Sequence, residues 1–252
     1  MSIRLLSLDI ETGPAKVWTF GLFKPYLSDR HVIEDSRMIC FTAQWVEEGV
    51  EHPVLFFSEH SHGRKQMLDA VWGLLNECDA VITYNGKTFD IPWIAGELSL
   101  DGYTPPSPFH HIDLFQVIKS STYLLTKKLD YVAHRYLDDS KVTHEGIQLW
   151  IGCMNGDAEA WQRMEEYARK DTALLGPLYF KLRPWIRVHP NVNLYTDEPE
   201  ALACDRCTST NLKKNGFRLT ATKRFQVYAC KDCGRQLSSR RGSVLAATGP
   251  AL

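Results

Sequence analysis

The chain has 252 residues, enough for one large domain or one domain with a small module. Hydrophobic residues make up 44% and charged residues 23%, which excludes global disorder, and no run of about 18 apolar residues is present to span a membrane. The net charge of −1 conceals an asymmetry: residues 1–199 hold 19 Lys and Arg against 27 Asp and Glu, whereas residues 200–252 hold 10 against 3. An acidic body joined to a basic module implies two tasks. A compact basic module points to a polyanionic partner, of which nucleic acid is the commonest. The opening MSIRLLSLDIETG has an apolar run too short for a signal peptide, broken by Arg4 and closed by acids, so a cytoplasmic protein without membrane contact is expected.

In chain order, residues 3–10 form a short apolar run ending in acids, the pattern of a buried central strand whose carboxyl end carries chemistry. Residues 37–46 and 53–58 read as the next strands, with Glu47-Glu48-Gly49 as a turn. Met67, Val71, Leu74 and Leu75 have helical spacing, Ala80–Tyr84 is another apolar strand, and Phe89, Trp93 and Ile94 begin a helix with Pro92 in its first turn. Three prolines in 100–112 mark a loop. From about 113 to 182 the pattern is helical, with apolar faces at Leu129, Val132, Ala133 and Tyr136 and at Ile147, Leu149, Trp150 and Ile151. A long helix is expected from about Asn155 to Leu175, ended or kinked at Gly176-Pro177. Strands first and helices later predict an α/β domain on a mixed sheet over 1–182. A proline-bearing linker is expected over 183–199, a small module over 200–240, and a flexible tail over 241–252.

Three acidic clusters stand out. Asp9 and Glu11 alternate on one strand and so share a face. Asp90 follows an apolar strand in YNGKTFD, where sites gather in α/β folds. Tyr167 and Asp171 are spaced i, i+4 on one helical face. Taken singly, each also fits a turn, a helix cap or a solvated face. If Asp9, Glu11, Asp90 and Asp171 converge, bare mutual repulsion would cost several kcal/mol. Hard divalent cations such as Mg²⁺ or Mn²⁺ take carboxylate oxygens, and a pair about 3.5–4 Å apart is the known clamp for phosphoryl transfer.

DIETG, YNGKTFD and YARKD, in that order, resemble the three motifs of the DnaQ-like 3′→5′ exonucleases on the ribonuclease H-like fold. The resemblance covers about residues 1–182. Position 167 is Tyr, and position 166, where the histidine branch carries its His, is Glu, so the chain is similar to the tyrosine branch, DEDDy. The resemblance implies two Mg²⁺ or Mn²⁺ ions. Asp9 would bridge both, Glu11 and Asp171 would complete the first site, and Asp90 would hold the second. It further implies that Tyr167 orients the attacking water, since a phenol with pKa about 10 is a poor base at neutral pH. Thr12, Gly13, Asn85 and Phe89 would position the terminal nucleotide. His110, His111 and Asp113 form a further polar knot that fits a groove lining or a strand end and helix cap. Lys127, Lys128 and Lys141 fit phosphate contacts or a solvated face.

Seven cysteines without an export signal argue against a disulfide framework. Cys40, Cys78 and Cys153 lie among apolar neighbours as packing thiols. Cys204-x₂-Cys207 and Cys230-x₂-Cys233 pair two knuckles, as in a zinc ribbon, and predict a structural Zn²⁺ with no open position. Lys213, Lys214, Arg218, Lys223, Arg224, Lys231, Arg235, Arg240 and Arg241 surround them, with Phe217, Phe225 and Tyr228 among them, which suits single-stranded nucleic acid. Phe225 also fits as filling for the module's small core.

The combined expectation is a metal-dependent 3′→5′ exonuclease that releases nucleoside 5′-monophosphates, with DNA ahead of RNA as substrate. A separate DNA polymerase or replication protein is a candidate partner, because no polymerase domain fits the remaining length. The alternatives are an RNA exonuclease of the same fold and a nucleic-acid-binding adaptor with a vestigial nuclease domain. A structure-specific endonuclease is a weaker third.

Overall fold

The computed structural model describes residues 2–21, 23, 26–139, 146–197, 202–239 and 243–244. Lys141, Arg240, Arg241, the end of the expected linker and most of the expected tail lie outside the described residues. Arg4–Phe180 pack as one compact unit, and the chain from Lys181 onward belongs to a second.

The first unit begins with β1 (Leu5–Gly13), a small pair β2 (Lys16–Val17) and β3 (Val32–Glu34), then β4 (Arg37–Val46) and β5 (Leu55–Ser58). Helices α1 (Glu59–His62) and α2 (Arg64–Glu77) lead to β6 (Ala80–Thr83), α3 (Asp90–Leu100) and β7 (His110–Asp113). Four helices follow: α4 (Leu114–Ser121), α5 (Leu129–Leu137), α6 (Ile147–Met154) and α7 (Ala158–Leu182). The later strands are β8 (Leu212–Leu219), β9 (Lys223–Cys230), β10 (Gln236–Ser238) and β11 (Ser243–Val244).

The main sheet has five strands in the order β5-β4-β1-β6-β7. β1 is central because its apolar residues can be buried on both faces. It pairs antiparallel with β4 and parallel with β6, and β6 pairs parallel with β7. Alternation along β1 turns Leu6, Leu8 and Ile10 towards the core formed with Met67, Leu68, Val71 and Leu75 of α2 and Ile94 and Leu98 of α3. The opposite face meets a second core, where Ile39, Cys40 and Phe56 pack on Leu149 and Cys153 of α6 and on Ala160, Trp161, Met164 and Ala168 of α7. Buried Glu97 fastens β4: its carboxylate accepts the Met38 N–H at 2.8 Å and binds Arg64.

Three expectations change. The proline-rich stretch before residue 113 does not stay a loop to its end. His110–His111–Ile112–Asp113 form a strand because Ala80–Thr83 offer a parallel edge to pair with. The last long helix passes through Pro177 to Leu182, since Leu178, Tyr179 and Leu182 are all buried beyond the proline. The stretch expected as a linker carries two 3₁₀ turns, Arg183–Trp185 and Val192–Tyr195, with Ile186, Val192 and Asn193 buried.

In the second unit, that stretch is tied to the cysteine module. Buried Arg206 donates to the Ile186 and His189 carbonyls, and the Val192 N–H donates to the Asp205 carbonyl at 3.1 Å. β8 and β9 form an antiparallel hairpin, and β10 and β11 pair with β9. Among the described residues no helix is long and apolar enough to cross a membrane.

Candidate active site and cysteine centre

Asp9 and Glu11 lie on the face of β1 opposite Leu8 and Ile10, which is the side of α7. Their cross-strand neighbours on β4 are Thr42 and Cys40. The Thr42 hydroxyl donates to the Ala168 carbonyl at 3.2 Å and lies 2.7 Å from the Thr172 hydroxyl. α7 is therefore pinned beside the strand position opposite Asp9. Tyr167 comes within electrostatic reach of Asp9 and Glu11, and Asp171 lies one turn further along the same helix. Burial pushes the Tyr167 phenol well up, helped by the negative charges of Asp171, Glu11 and Asp9 and by its hydrogen bond to Asp171. At neutral pH it is a protonated donor. Trp150 packs edge-on against its ring at 6.2 Å.

Asp90 reaches β1 from the other direction. The ladder between β1 and β6 covers Leu5–Ser7 and Ala80–Ile82 and then stops. Beyond it, the Ile10 N–H donates to Asp90 Oδ1 at 3.1 Å, so the carboxylate takes the place of a missing strand partner between Asp9 and Glu11. Asp90 is buried, and burial pushes its pKa up to about 7 against the pull of its backbone hydrogen bonds, with Asp113 adding to the rise.

The loop between β6 and α3 needs its particular residues. Asn85 sits at φ +72°, and a Cβ on Gly86 would fall 2.5 Å from Thr83 Oγ1. Asp113 holds the loop: its carboxylate accepts the N–H groups of Asn85 at 3.0 Å and Lys87 at 3.1 Å, and caps α4 through Gln116 N–H at 3.2 Å. Asp113 is thus a strand end and helix cap. His111 belongs to the same support, with Nε2 2.8 Å from Thr83 Oγ1 and its pKa lowered by burial.

Among the expected nucleotide-positioning residues, Asn85 Oδ1 accepts from the Thr88 hydroxyl at 3.1 Å. Phe89 is 39% exposed, edge-on to Trp93. Thr12 follows a bulge in the β1–β4 ladder, and a Cβ on Gly13 would meet Met154 Sδ at 2.8 Å. Cys40, Cys78 and Cys153 are buried, and desolvation raises each thiol pKa, to about 12 for Cys78 and about 11 for Cys153.

Sequence reasoning missed Thr42 and Thr172, which hold α7 in place, and the loop-holding role of Asp113. A hydroxyl inside the apolar run RMICFTAQWV was the available signal for Thr42.

The acids supply an all-oxygen donor set of the kind that hard divalent cations take. Asp90 alone would hold a proton near neutrality, and a cation beside it would favour its charged form. No three of the four carboxylates draw within 4.8 Å of one another; among the described residues only the four cysteines do. Oxygen ligands on one Mg²⁺ or Mn²⁺ stand no more than about 4.2 Å apart, so the acids would have to draw together to hold an ion.

The cysteine centre is tighter. Cys204 and Cys233 sulfurs are 3.5 Å apart, and those of Cys207 and Cys230 are 3.6 Å apart. Tetrahedral sulfur ligands at about 2.3 Å from zinc would stand about 3.8 Å apart, so the four thiols fit such an ion. Both knuckles turn the same way. Thr208 N–H donates to the Cys204 carbonyl and Gly234 N–H to the Cys230 carbonyl, with Thr208 at φ +59° and Gly234 at φ +78°. The hydrogen bond from Cys207 and nearby amides hold the Cys204 thiol down, to about 5.

The strand order, the antiparallel second strand and the helices on both faces define an RNase H-like α/β domain. A family model described as the RNase H superfamily matches residues 6–183, and the chain belongs to that superfamily. No curated protein sequence matches it. Among solved structures, it is similar to the family B DNA polymerase from the hyperthermophilic archaeon Pyrobaculum calidifontis, with a TM-score of 0.55 and 14% identity. That match covers 73% of this chain and 25% of the polymerase chain, so this protein spans about a quarter of the polymerase's length. At that identity the likeness is one of fold.

Proposed function

We propose that this protein is a metal-dependent 3′→5′ exonuclease of the tyrosine branch, acting on single-stranded 3′ ends of DNA. The observation that carries this reading is the meeting of Asp9 and Glu11 with Tyr167, itself hydrogen-bonded to Asp171, together with Asp90 on the Ile10 N–H. Asp9, Glu11, Asp90 and Asp171 would hold the divalent ions, which supply an acidified water and neutralise charge on the leaving oxygen. Tyr167 keeps its proton, so its role is to orient the attacking water by hydrogen bonding. Thr42 and Thr172 fix the helix that presents it. Asp113 fixes the loop that leads into Asp90. Phe89, exposed at the start of α3, offers a ring for the terminal base, and Asn85, Thr12 and Gly13 offer polar and backbone contacts around it. Hydrolysis adds one water, breaks the bond from phosphorus to the 3′ oxygen, and releases a nucleoside 5′-monophosphate. The four cysteines would hold one structural Zn²⁺.

The test is a degradation time course on 5′-end-labelled single-stranded and duplex DNA and RNA with Mg²⁺ or Mn²⁺. Stepwise shortening from the 3′ end, absent without a divalent ion, is expected, and its rate on each strand type names the substrate. Internal cuts, or binding with no cleavage under every condition, would overturn the reading.

A further inference from the structure

The β8–β9 hairpin carries a surface that the nuclease site does not use. Register places Phe217 opposite Gln226, Leu219 opposite Arg224, and Lys214 opposite Tyr228, so these side chains share one face. On that face the Arg224 guanidinium stacks 4.0 Å from the Phe217 ring centroid. Phe217 is 53% and Leu219 64% exposed. A module this short of apolar residues leaves a phenylalanine and a leucine in water, in line along one strand.

Charge points the same way. The two acids of residues 202–239 are both engaged: Asp205 with Arg206 and Arg235, and Asp232 with Ser209 and Asn211. Lys213, Lys214, Lys223 and Lys231 are exposed and make no ion pair among the described residues. The hairpin itself contains no carboxylate. A polyanion matches these lysines, and an aromatic ring flanked by a guanidinium is a stacking plate for an unpaired base. A duplex, whose bases already stack on one another, could use the cations but not the plate.

We propose that the Phe217–Leu219–Arg224 face of this hairpin is a binding surface for single-stranded nucleic acid. Phe217 stacks a base, and Lys214, on the same face, contacts a phosphate. The proposal concerns binding alone and stands whether or not the carboxylate site cleaves.

The experiment uses the full zinc-loaded chain carrying Asp9→Ala, so that probe turnover cannot interfere. Affinity for a fluorescein-labelled oligodeoxythymidine, the equivalent oligouridine and a blunt duplex is measured across a salt series. Phe217→Ala is expected to weaken single-strand binding about tenfold with an unchanged salt slope, and Phe217→Tyr to restore most of it. Lys214→Gln is expected to reduce the slope of log affinity against log salt by about 0.7. Zinc content per chain reports that each variant is folded. If Phe217→Ala loses zinc, Lys214→Gln decides alone. Affinity and slope unchanged in the zinc-loaded variants would overturn the proposal and leave the hairpin as a protein-docking surface. Blunt duplex binding as tight as single strand would overturn the stacking role.

Discussion

The two units would depend on metal in opposite ways. The sheet domain buries apolar side chains on both faces of β1, so its acids are held by a fold that exists without any ion. Of residues 202–239, only Cys204, Arg206 and Cys230 are buried. There the sulfur cluster stands where a core would be, and binding of a metal by it would be folding free energy. The first unit buries an acid whose charged form a cation would favour. The second lacks stability that a cation would supply. Removing metal from one should silence it, and removing metal from the other should unfold it.

The largest effect should come from the acids. Asp9→Ala or Asp171→Ala is expected to lower cleavage by at least about 10³-fold, with circular dichroism unchanged. Cys230→Ser should lose zinc and melt the 202–239 module while leaving the sheet domain's helical signal in place, as read by hydrogen exchange. Tyr167→Phe keeps the ring packing on Trp150 but removes the donor, and should slow cleavage about 10²-fold at unchanged stability.

Asp90 gives a pH test. Its folded pKa of about 7 lies above the ordinary carboxylate value, so the folded state holds the proton more tightly. Its contribution to stability is full below about pH 4 and is lost as pH rises towards 7, about 2–4 kcal/mol in all without Mg²⁺ or Mn²⁺. Urea melts from pH 4.5 to 8 should show that decline, Asp90→Asn should flatten it, and Mn²⁺ at pH 8 should reverse it. The smallest effect belongs to Thr42→Val. Loss of the buried hydroxyl pair should cost about 1–2 kcal/mol and slow cleavage only a few-fold, because α7 loosens rather than leaves.

The same contrast governs what was legible in the sequence. β4 was readable to the residue, since RMICFTAQWV is a short apolar run rich in strand-forming residues and is followed by a Glu47-Glu48-Gly49 turn. β7 was not, because two histidines and an aspartate have no strand signature of their own; pairing with β6 makes them a strand. Asp9 and Glu11 were legible as a pair through alternation, but the means that bring Asp90 and Tyr167 to them were not. Those are an Ile10 N–H left over where a ladder ends and a threonine pair between strand and helix, both tertiary contacts. Pro177 read as a stop or a kink because local chemistry disfavours it, and the helix runs on through it to bury Leu178, Tyr179 and Leu182. The meeting of the four cysteines was legible because two paired knuckles at that spacing bring their thiols to one place.

The measurement that bears most directly on the carboxylate site is a Mn²⁺ titration of the zinc-loaded protein, without substrate, with free ion counted by electron paramagnetic resonance. Two bound ions per chain in the wild type are expected, with both sites lost or weakened in Asp9→Ala. Equal Mn²⁺ binding by the wild type and Asp9→Ala, or none by either, would contradict the assignment of these acids to a metal-dependent nuclease.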